Sequence, residues 1–412
     1  MLRPACLLAA LLSTSISTAL AGTATLGVSA EAAALHERIL VLDSHLDTPM
    51  NLARPDWDIQ RDYASWRGFS QVDLPRMKRG GLDGGFWAIY TGQGDRSPAS
   101  NLDARDHGLV RLAQIREMVA ANPEHFALAY SAEDAGRIAA AGKRVVYISM
   151  ENASPLAQDP SLLRTYHQLG LRMLGITHVR SNEFGDSSNT PPEWQGLSPA
   201  GRALVEEANR LGIVLDASHA SDAVFDQLLE LSRAPIVLSH SGAKALYDHP
   251  RNIDDARIRK LAAKGGVLQV NAYGGYLVPV EESAERRKAL EELESRMGDY
   301  DTLDEAGVQA WLAASDAIDA RYPVRLATFD DYMRHLLHIL KVAGVEHVGI
   351  GADWDGGGGV VGLEDVSDLP RITQALLDAG YSEQDIAAIW GGNLLRVLRE
   401  AQQVAAAAPQ PR

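Results

Sequence analysis

The chain has 412 residues, 46% of them hydrophobic, and a formal net charge of −15 at pH 7. A chain of this length and composition can bury a large core, and it suits one large α/β domain or two smaller ones. Because the charge is negative and no basic run stands out, nucleic acids and anionic membrane surfaces are excluded as expected partners.

The N-terminus has the pattern of a secretory signal peptide. Arg3 supplies a positive charge, an apolar stretch follows at 5–12, and the small residues Ala19 and Ala21 form a cleavage site before Gly22. The alternative is a disordered tail of a cytosolic protein. The apolar stretch is too short to span a bilayer, and no later run approaches that length. We expect residues 1–21 to be a signal peptide and the mature protein to be secreted, with a bacterial periplasm as its compartment.

The only cysteine of the chain, Cys6, lies inside this segment. The mature protein would then contain neither disulfides nor thiolate metal ligands. Any metal ion must be bound by histidine and carboxylate side chains, which suit zinc and its first-row neighbours.

Beyond a predicted linker at 22–36, short β-rich runs alternate with longer amphipathic stretches. Alternation of this kind predicts a parallel sheet, and eight such units predict a (β/α)8 barrel over 37–401. A doubly wound open sheet is the alternative, although neither G-x-G-x-x-G nor a P-loop is present to favour a nucleotide-binding fold. The predicted strands are 39–44, 84–90, 144–150, 172–177, 213–218, 235–239, 266–271 and 346–352.

Residues 280–325 interrupt the alternation after the seventh predicted strand. The segment begins with a highly charged run, and its spacing predicts two helices, at 281–297 and 303–320. We interpret it as a helical insertion that forms either a surface cap or a lid over the site. Residues 402–412, rich in alanine, proline and glutamine, are predicted to be a disordered tail.

Potential metal ligands follow several of the predicted strands. His45 and Asp47 end the first strand, and residues at i and i+2 of a strand point to the same side. A lone histidine at a strand end is more often a packed or surface residue than a ligand. However, the C-terminal ends of barrel strands meet at one mouth, and five further candidates lie at such ends. They are Glu151, His178, His219, His240 and Asp353.

This set has the composition of a two-metal site. Glu151 can bridge two ions through its two oxygens, one ion being held also by His45 and Asp47 and the other by His219 and His240. Water bound between two such ions would lose a proton near neutral pH and could attack a carbonyl as hydroxide.

Three further residues could assist that reaction. Asp353 could carry the proton to the leaving amine, and His178 could donate a hydrogen bond to the developing oxyanion. Arg251 could bind a substrate carboxylate.

Structural roles remain open for several of these residues. Glu151 could cap the segment that follows it, and His178 could be purely structural. Arg251 could form a surface ion pair with Asp254 or Asp255. Asp353 competes with Asp355, and we prefer Asp353 because it is nearer the strand.

Nine short motifs, in order over roughly 37–400, resemble the membrane dipeptidase (renal dipeptidase-like) family of the amidohydrolase superfamily. They are DSHLDT (43–48), VDLPR (72–76), SMEN (149–152), LGITH (174–178), LDASH (215–219), LSHS (238–241), HPRN (249–252), GIGADWDG (349–356) and WGGNLLRV (390–397).

The resemblance implies a (β/α)8 barrel with two zinc ions, a homodimer, and hydrolysis of dipeptides with tolerance for a D-residue at the C-terminal position. By motif, it implies that His178 and Arg251 bind substrate and that Asp353 transfers the proton. The metal ligands that it implies are His45, Asp47, Glu151, His219 and His240.

Two departures from the family pattern bear on substrate choice: the length of the 280–325 insertion and the glycine run at 356–359. The alternative function is therefore a metal hydrolase of the same fold that acts on another amide or ester, such as a lactone, an acylated amino acid or a peptide natural product. A catalytically silent binding protein is a third hypothesis, and the complete set of ligands argues against it.

Overall fold

The computed structural model describes residues 27–54, 56–64, 69–298 and 303–407. The predicted signal peptide lies outside the described residues.

Parallel strands form a nearly closed barrel at the centre of the molecule. The strands are β1 (Leu42–Leu46), β2 (Gly84–Ile89), β3 (Phe126–Leu128), β4 (Arg144–Met150), β5 (Leu171–Gly175), β6 (Val214–Asp216), β7 (Val237–Ala243), β8 (Asn252–Ile253), β9 (Val267–Val270) and β10 (Val348–Ile350). Eight of them pair side by side in the order β1-β2-β4-β5-β6-β7-β9-β10, while β3 and β8 add to β4 and β7. The predicted (β/α)8 barrel is confirmed, and each of the eight predicted strands overlaps one barrel strand.

The first and last barrel strands meet where the barrel closes. Leu46 pairs in parallel with Trp354. The hydroxyl of Ser44 donates to the carbonyls of Ser239, at 2.6 Å, and Ile350, at 3.2 Å. These contacts hold β1, β7 and β10 close together.

Helices surround the barrel, and several begin at a polar capping residue. Ser198, Ser221 and Asp254 each accept a backbone N–H of the first helical turn, which is a standard N-cap. The helices are α1 (Ala30–Arg38), α2 (Leu74–Arg79), α3 (Pro98–Ala121), α4 (Ala132–Ala140), α5 (Leu162–Gln168), α6 (Pro199–Leu211), α7 (Asp222–Leu231), α8 (Asp255–Ala263), α9 (Gly274–Leu277), α10 (Ala284–Met297), α11 (Glu305–Arg321), α12 (Phe329–Ala343), α13 (Pro370–Asp378), α14 (Glu383–Ala387) and α15 (Asn393–Ala407).

The C-terminal helix α15 packs against the end of the barrel at which the strands begin. One hydrophobic cluster joins Leu394 and Leu398 of this helix to the first residues of four strands, Leu42, Val214, Val237 and Val267. This end of the barrel is therefore filled by apolar side chains. The polar side chains collect at the opposite end, where the strands finish.

The predictions of an irregular linker at 22–36 and a disordered tail at 402–412 are wrong in part. Helix α1 covers residues 30–36 of the predicted linker 22–36, because Ser29 caps it and because Leu35 and His36 are buried. Helix α15 continues to Ala407, into the predicted tail 402–412, and the side chain of Gln402 donates to the carbonyl of Tyr130. Both helices are held by contacts of individual side chains, which the amino-acid composition of a segment does not reveal.

The predicted insertion after the seventh barrel strand is confirmed as a helical pair, α10 and α11. Arg286 of α10 contacts Asp319 of α11 at 2.8 Å. Arg61, in the segment after β1, donates to both carboxylate oxygens of Glu305 at the start of α11. The insertion therefore rests on a segment that also leads from the first barrel strand.

No helix within the described residues has both the length and the apolar character that crossing a membrane requires.

Candidate metal centre

Seven of the eight predicted site residues meet at the C-terminal end of the barrel. His45 and His240 lie within β1 and β7, and the other residues follow their strands by one to three positions. Six of the seven are buried, and the side chain of His178 is 17% exposed at the edge of the group. We call His45, Asp47, Glu151, His178, His219, His240 and Asp353 the mouth cluster.

Glu151 lies at the centre of the mouth cluster. One of its oxygens, Oε1, faces the Nε2 atoms of four histidines: His178 at 3.2 Å, His219 at 3.3 Å, His45 at 3.6 Å and His240 at 3.9 Å. The other oxygen, Oε2, is buried and has no hydrogen-bond partner among the described residues. A buried carboxylate oxygen without a donor is costly unless a cation or another donor is available to it.

The remaining contacts divide the cluster into overlapping groups. Nε2 of His45 is 3.2 Å from Asp47 Oδ2 and 3.9 Å from Asp353 Oδ1. On the other side, the Nε2 atoms of His219 and His240 are 2.8 Å apart.

Three combinations place one ligand atom from each residue within 4.8 Å of the others: His45, Glu151 and His240; Glu151, His178 and His219; and His45, Asp47 and Asp353. The structure thus brings all the predicted metal ligands together. His178 and Asp353, which were not predicted to bind metal, also lie within these three groups.

The histidines differ in their electrostatic surroundings. Burial alone would lower the pKa of His45, but the carboxylates of Asp47, Glu151 and Asp353 outweigh burial and raise it to about 10. The pKa values of His219 and His240 are well below the usual value, first because of burial and then because Arg251 and other histidines repel a further positive charge. Neutral imidazoles have the nitrogen lone pair that metal binding requires.

The carboxylates repel one another. Burial and then the nearby Glu151 raise the pKa of Asp47, whose Oδ1 is a second buried oxygen without a partner among the described residues. Burial also raises the pKa of Asp353, against the attraction of His45. A bound cation would relieve both effects, and the donor set of imidazole nitrogens and carboxylate oxygens fits zinc and neighbouring metals.

Backbone strain is concentrated at the cluster. His219, Asp353 and Asp355 have positive φ angles of 63°, 68° and 64°. Such conformations are uncommon for residues other than glycine and are often found at functional sites. They turn the chain sharply just after β6 and β10, so that His219 and Asp353 point into the mouth.

The structure separates Asp353 from its rival. Asp353 reaches the mouth cluster. Asp355 instead accepts hydrogen bonds from the hydroxyl of Thr48 at 2.7 Å and from the backbone N–H of Gln71 at 2.6 Å. Asp355 therefore fixes the loop, and the geometry agrees with the preference for Asp353.

Arg251 is buried beside the cluster, so the alternative of a surface ion pair is wrong. Asp254 pairs with Arg257, and Asp255 contacts His338. The guanidinium of Arg251 donates to the carbonyl of His240 at 3.0 Å and lies 5.2 Å from the centre of the Tyr276 ring. Its Nε has no hydrogen-bond partner among the described residues.

Two neighbours of the cluster were not predicted. Asn271 Nδ2 lies 3.4 Å from Asp353 Oδ2, and the ring of Tyr90 meets that of His178 edge-on with centroids 5.2 Å apart. Tyr90 and Asn271 are the last residues of the predicted strands 84–90 and 266–271. The strand-end criterion that selected the histidines and carboxylates would have found both, had it been applied to tyrosine and asparagine.

A cavity of about 650 Å³ lies next to the mouth cluster. Met50, Phe69, Gln71, Asp355 and Gly357 are among the residues that line it, and no member of the mouth cluster does. The loop that carries Asp353 also supplies one wall of the cavity, so the two features share a boundary.

A parallel (β/α)8 barrel with histidines and carboxylates gathered at its C-terminal mouth is typical of metal-dependent hydrolases. Within that class, a sequence profile of the membrane dipeptidase family, peptidase family M19, matches residues 29–412. The chain belongs to this family and is a metal-dependent dipeptidase.

Several solved structures and known sequences are similar to the chain. The probable dipeptidase PvdM from Pseudomonas aeruginosa has 34% identity and a TM-score of 0.78, with 91% of this chain and 98% of that chain covered. A metallo peptidase from Rhodobacter sphaeroides, liganded with a phosphinate mimic of the dipeptide L-Ala-D-Ala, has 27% identity and a TM-score of 0.70, covering 88% and 99% of the two chains. Dipeptidase 3 from Macaca fascicularis is 31% identical over 395 residues, 93% of this chain and 69% of that protein.

Proposed function

We propose that the protein is a binuclear zinc dipeptidase that tolerates a D-residue at the C-terminal position of its substrate. The observation that carries this proposal is the placement of one Glu151 oxygen within 3.2–3.9 Å of four histidine nitrogens, with the second oxygen unpaired. The Rhodobacter relative, liganded with a mimic of L-Ala-D-Ala, supports the choice of substrate.

The residues divide between two ions as follows. His45, Asp47 and Glu151 would hold one zinc ion, and Glu151, His219 and His240 would hold the other. Zinc bound there would supply Lewis acidity and would activate water near neutral pH.

The remaining residues act on the substrate. Asp353 would take up a proton from the attacking water and deliver it to the amine that leaves, while Asn271 holds its carboxylate from behind. His178, at the exposed edge of the cluster, would donate a hydrogen bond to the carbonyl oxygen as negative charge develops there. Arg251 would bind the C-terminal carboxylate, for which a planar guanidinium is well suited.

The direct test is release of free amino acid from L-Ala-D-Ala by zinc-loaded protein, beside the same protein treated with a chelator. We expect release that depends on zinc and is restored when zinc is added back. Fully metallated protein that leaves L-Ala-D-Ala intact would contradict the proposed substrate.

Replacement of Arg251 tests the mode of binding. A hydrogen bond to a charged group contributes about 1.5–3 kcal/mol, so Arg251→Ala should raise KM for dipeptides by about 10- to 100-fold. An uncharged ester substrate should be nearly unaffected, and Arg251→Lys should recover part of the loss. An equal loss on dipeptide and ester would show that Arg251 does not bind the carboxylate.

The cavity beside the mouth favours a second candidate function, hydrolysis of larger amides or esters. Its wall includes the apolar side chains of Met50 and Phe69 and the exposed Leu326. If this function is correct, amides with a bulky apolar group should be cleaved at least 10-fold more efficiently than L-Ala-D-Ala. Ala64→Trp, at the cavity wall, should remove that advantage, whereas Ala140→Trp, on the exposed end of α4, should not.

Export and dimerisation complete the proposal. Cleavage of residues 1–21 should give a periplasmic protein that begins at Gly22, which N-terminal sequencing of the exported protein can check. Light scattering should give about twice the mass of one chain. A monomer would contradict the homodimer without affecting the proposed chemistry.

A further inference from the structure

A buried hydrogen-bonded chain lies directly behind His240. Asp216 ends β6, and Ser239 and His240 are neighbours in β7. The Ser239 hydroxyl donates to Asp216 Oδ2 at 2.5 Å, and the same Ser239 oxygen lies 2.8 Å from His240 Nδ1. All three side chains are almost fully buried.

The surroundings of Asp216 fix the direction of these hydrogen bonds. Its Oδ1 accepts the backbone N–H groups of Ser218 and Ser239, both at 2.9 Å. With two backbone donors already directed at it, the carboxyl group acts as an acceptor only. The hydroxyl of Ser239 must then give its proton to Asp216. The alternative acceptor, Ser218 Oγ, is farther away at 3.3 Å.

This direction determines the tautomer of His240. Because the Ser239 proton points to Asp216, the Ser239 oxygen can only accept from His240, so Nδ1 of His240 carries a hydrogen. Nε2 then keeps its lone pair, and it is the atom that faces Glu151 and His219. His219 differs, because its buried Nδ1 has no hydrogen-bond partner in the part of the chain that the structure describes.

We propose that Asp216 and Ser239 are positioning residues that hold His240 as its Nδ1–H tautomer, with Nε2 free to bind a metal ion. The proposal rests on the metal-binding function proposed for His240. Partners of this kind, behind a metal-binding histidine, typically change metal affinity or activity by about 10- to 100-fold when they are replaced.

Asp216→Asn tests the direction of these hydrogen bonds with almost no change in side-chain size. The remaining oxygen can still accept the two backbone N–H groups, but the new NH2 group would donate to Ser239. The Ser239 hydroxyl would then donate to His240 Nδ1, and the hydrogen of His240 would move to Nε2. We expect zinc affinity, measured by competition with a chelator, to fall by about 10- to 100-fold. The visible absorption spectrum of the cobalt-substituted protein should change with it.

Three variants separate positioning from simple loss of packing. Ser239→Ala should lower zinc affinity in the same way, and Ser239→Thr, which keeps the hydroxyl, should restore most of it. Ser149→Ala is the matched control, because Ser149 is also buried in a barrel strand and its Oγ has no hydrogen-bond partner among the described residues. We expect unchanged zinc affinity there. If Asp216→Asn fails to fold, the Ser239 pair decides the question.

The possible failures are distinct. Wild-type affinity for zinc in Asp216→Asn and Ser239→Ala would overturn the positioning role and leave the dipeptidase proposal intact. A lower melting temperature with unchanged zinc affinity would also overturn it, since that is the result of a purely structural role. Wild-type protein that binds no zinc would overturn both proposals.

Discussion

Gly356 illustrates how closely the chain is packed around the mouth cluster. A Cβ atom at this position would overlap Asp47 Oδ2 and Asp353 Oδ1. The glycine run after Asp355, which departs from the family pattern, thus begins with a residue that is required for close approach to the site. Any side chain there would displace two site carboxylates at once.

We therefore predict that Gly356→Ala lowers kcat/KM for L-Ala-D-Ala by about 100-fold, the loss expected when a catalytic group moves by about 1 Å. Steady-state kinetics and zinc content measure the effect. The control is Gly136→Ala in α4, where a Cβ would meet nothing within 4 Å. That change should leave activity unaltered and stabilise the protein by about 0.5–1 kcal/mol. Full activity in Gly356→Ala would contradict the packing argument.

At this scale, the sequence predicts which residues form the site better than it predicts how they are held. His45, Asp47 and Glu151 were identified because strand ends converge in a barrel. The positive φ angles of His219 and Asp353 and the burial of Arg251 were not predicted, since they depend on loop geometry. The link from Asp216 to His240 crosses two strands, and no local pattern reveals it.

Pairs of elements are joined by buried polar side chains. Asp43 accepts the backbone N–H of His45 at 2.8 Å and that of Ala352 at 3.0 Å, so it links β1 to the segment after β10. Asp216 links β6 to β7 in the same manner. Each aspartate thus joins two adjacent strands at positions just before residues of the mouth cluster. The barrel thereby fixes the spacing of its site residues.

Helix α1 is held by another buried polar residue, His36. Its Nε2 donates to the carbonyl of Gly80 at 2.9 Å, and its Nδ1 accepts from the hydroxyl of Thr373 in α13 at 2.7 Å. Burial lowers the pKa of His36 to about 4, although the hydrogen bond to Gly80 opposes the shift. The imidazole is therefore neutral in the folded protein, and unfolding allows it to bind a proton.

This gives a pH prediction with a definite sign. Because the folded pKa lies below the unfolded value of about 6.5, the unfolded state binds more protons between pH 6.5 and about 4. The contribution of His36 to stability is complete above pH 6.5 and falls as the pH decreases through that window. Between pH 7 and pH 5 the loss should be about 2 kcal/mol.

Urea unfolding of the wild type and His36→Gln at both pH values isolates this contribution. We expect the variant to be less stable at pH 7, and the difference between the two proteins to shrink at pH 5. A difference that does not change with pH would mean that His36 does not titrate in this range.

The two ends of the barrel have different roles, one in stability and the other in function. At the end where the strands begin, α15 packs against apolar side chains. At the other end, the mouth cluster contains buried carboxylates, and two of their oxygens have no hydrogen-bond partner among the described residues. A barrel built in this way should be less stable without its metal ions than with them.

Metal removal should therefore destabilise the fold. Ligand at 100 times its dissociation constant stabilises the folded state by about 2.7 kcal/mol per site. We expect chelator treatment to lower the melting temperature and zinc to restore it, as followed by calorimetry. Calcium at the same concentration serves as the control, because it prefers oxygen ligands and should not substitute. An identical melting temperature with and without chelator would contradict this expectation.

The eight-strand barrel could be predicted as a whole because each strand is a buried apolar run and the helices between them are amphipathic. The short strands β3 and β8 could not, since two or three residues carry no readable period. Helix α1 was missed because its docking depends on contacts with α13, more than three hundred residues away in sequence.

The central claim is that Glu151 holds two metal ions, and the number of zinc ions bound per chain tests it most directly. Zinc should be measured in parallel on wild-type protein and Glu151→Gln, each loaded to saturation and freed of excess. We predict two ions per chain in the wild type and the loss of at least one ion, together with most activity, in Glu151→Gln. Two ions and full turnover in Glu151→Gln would contradict the bridge and the mechanism built on it.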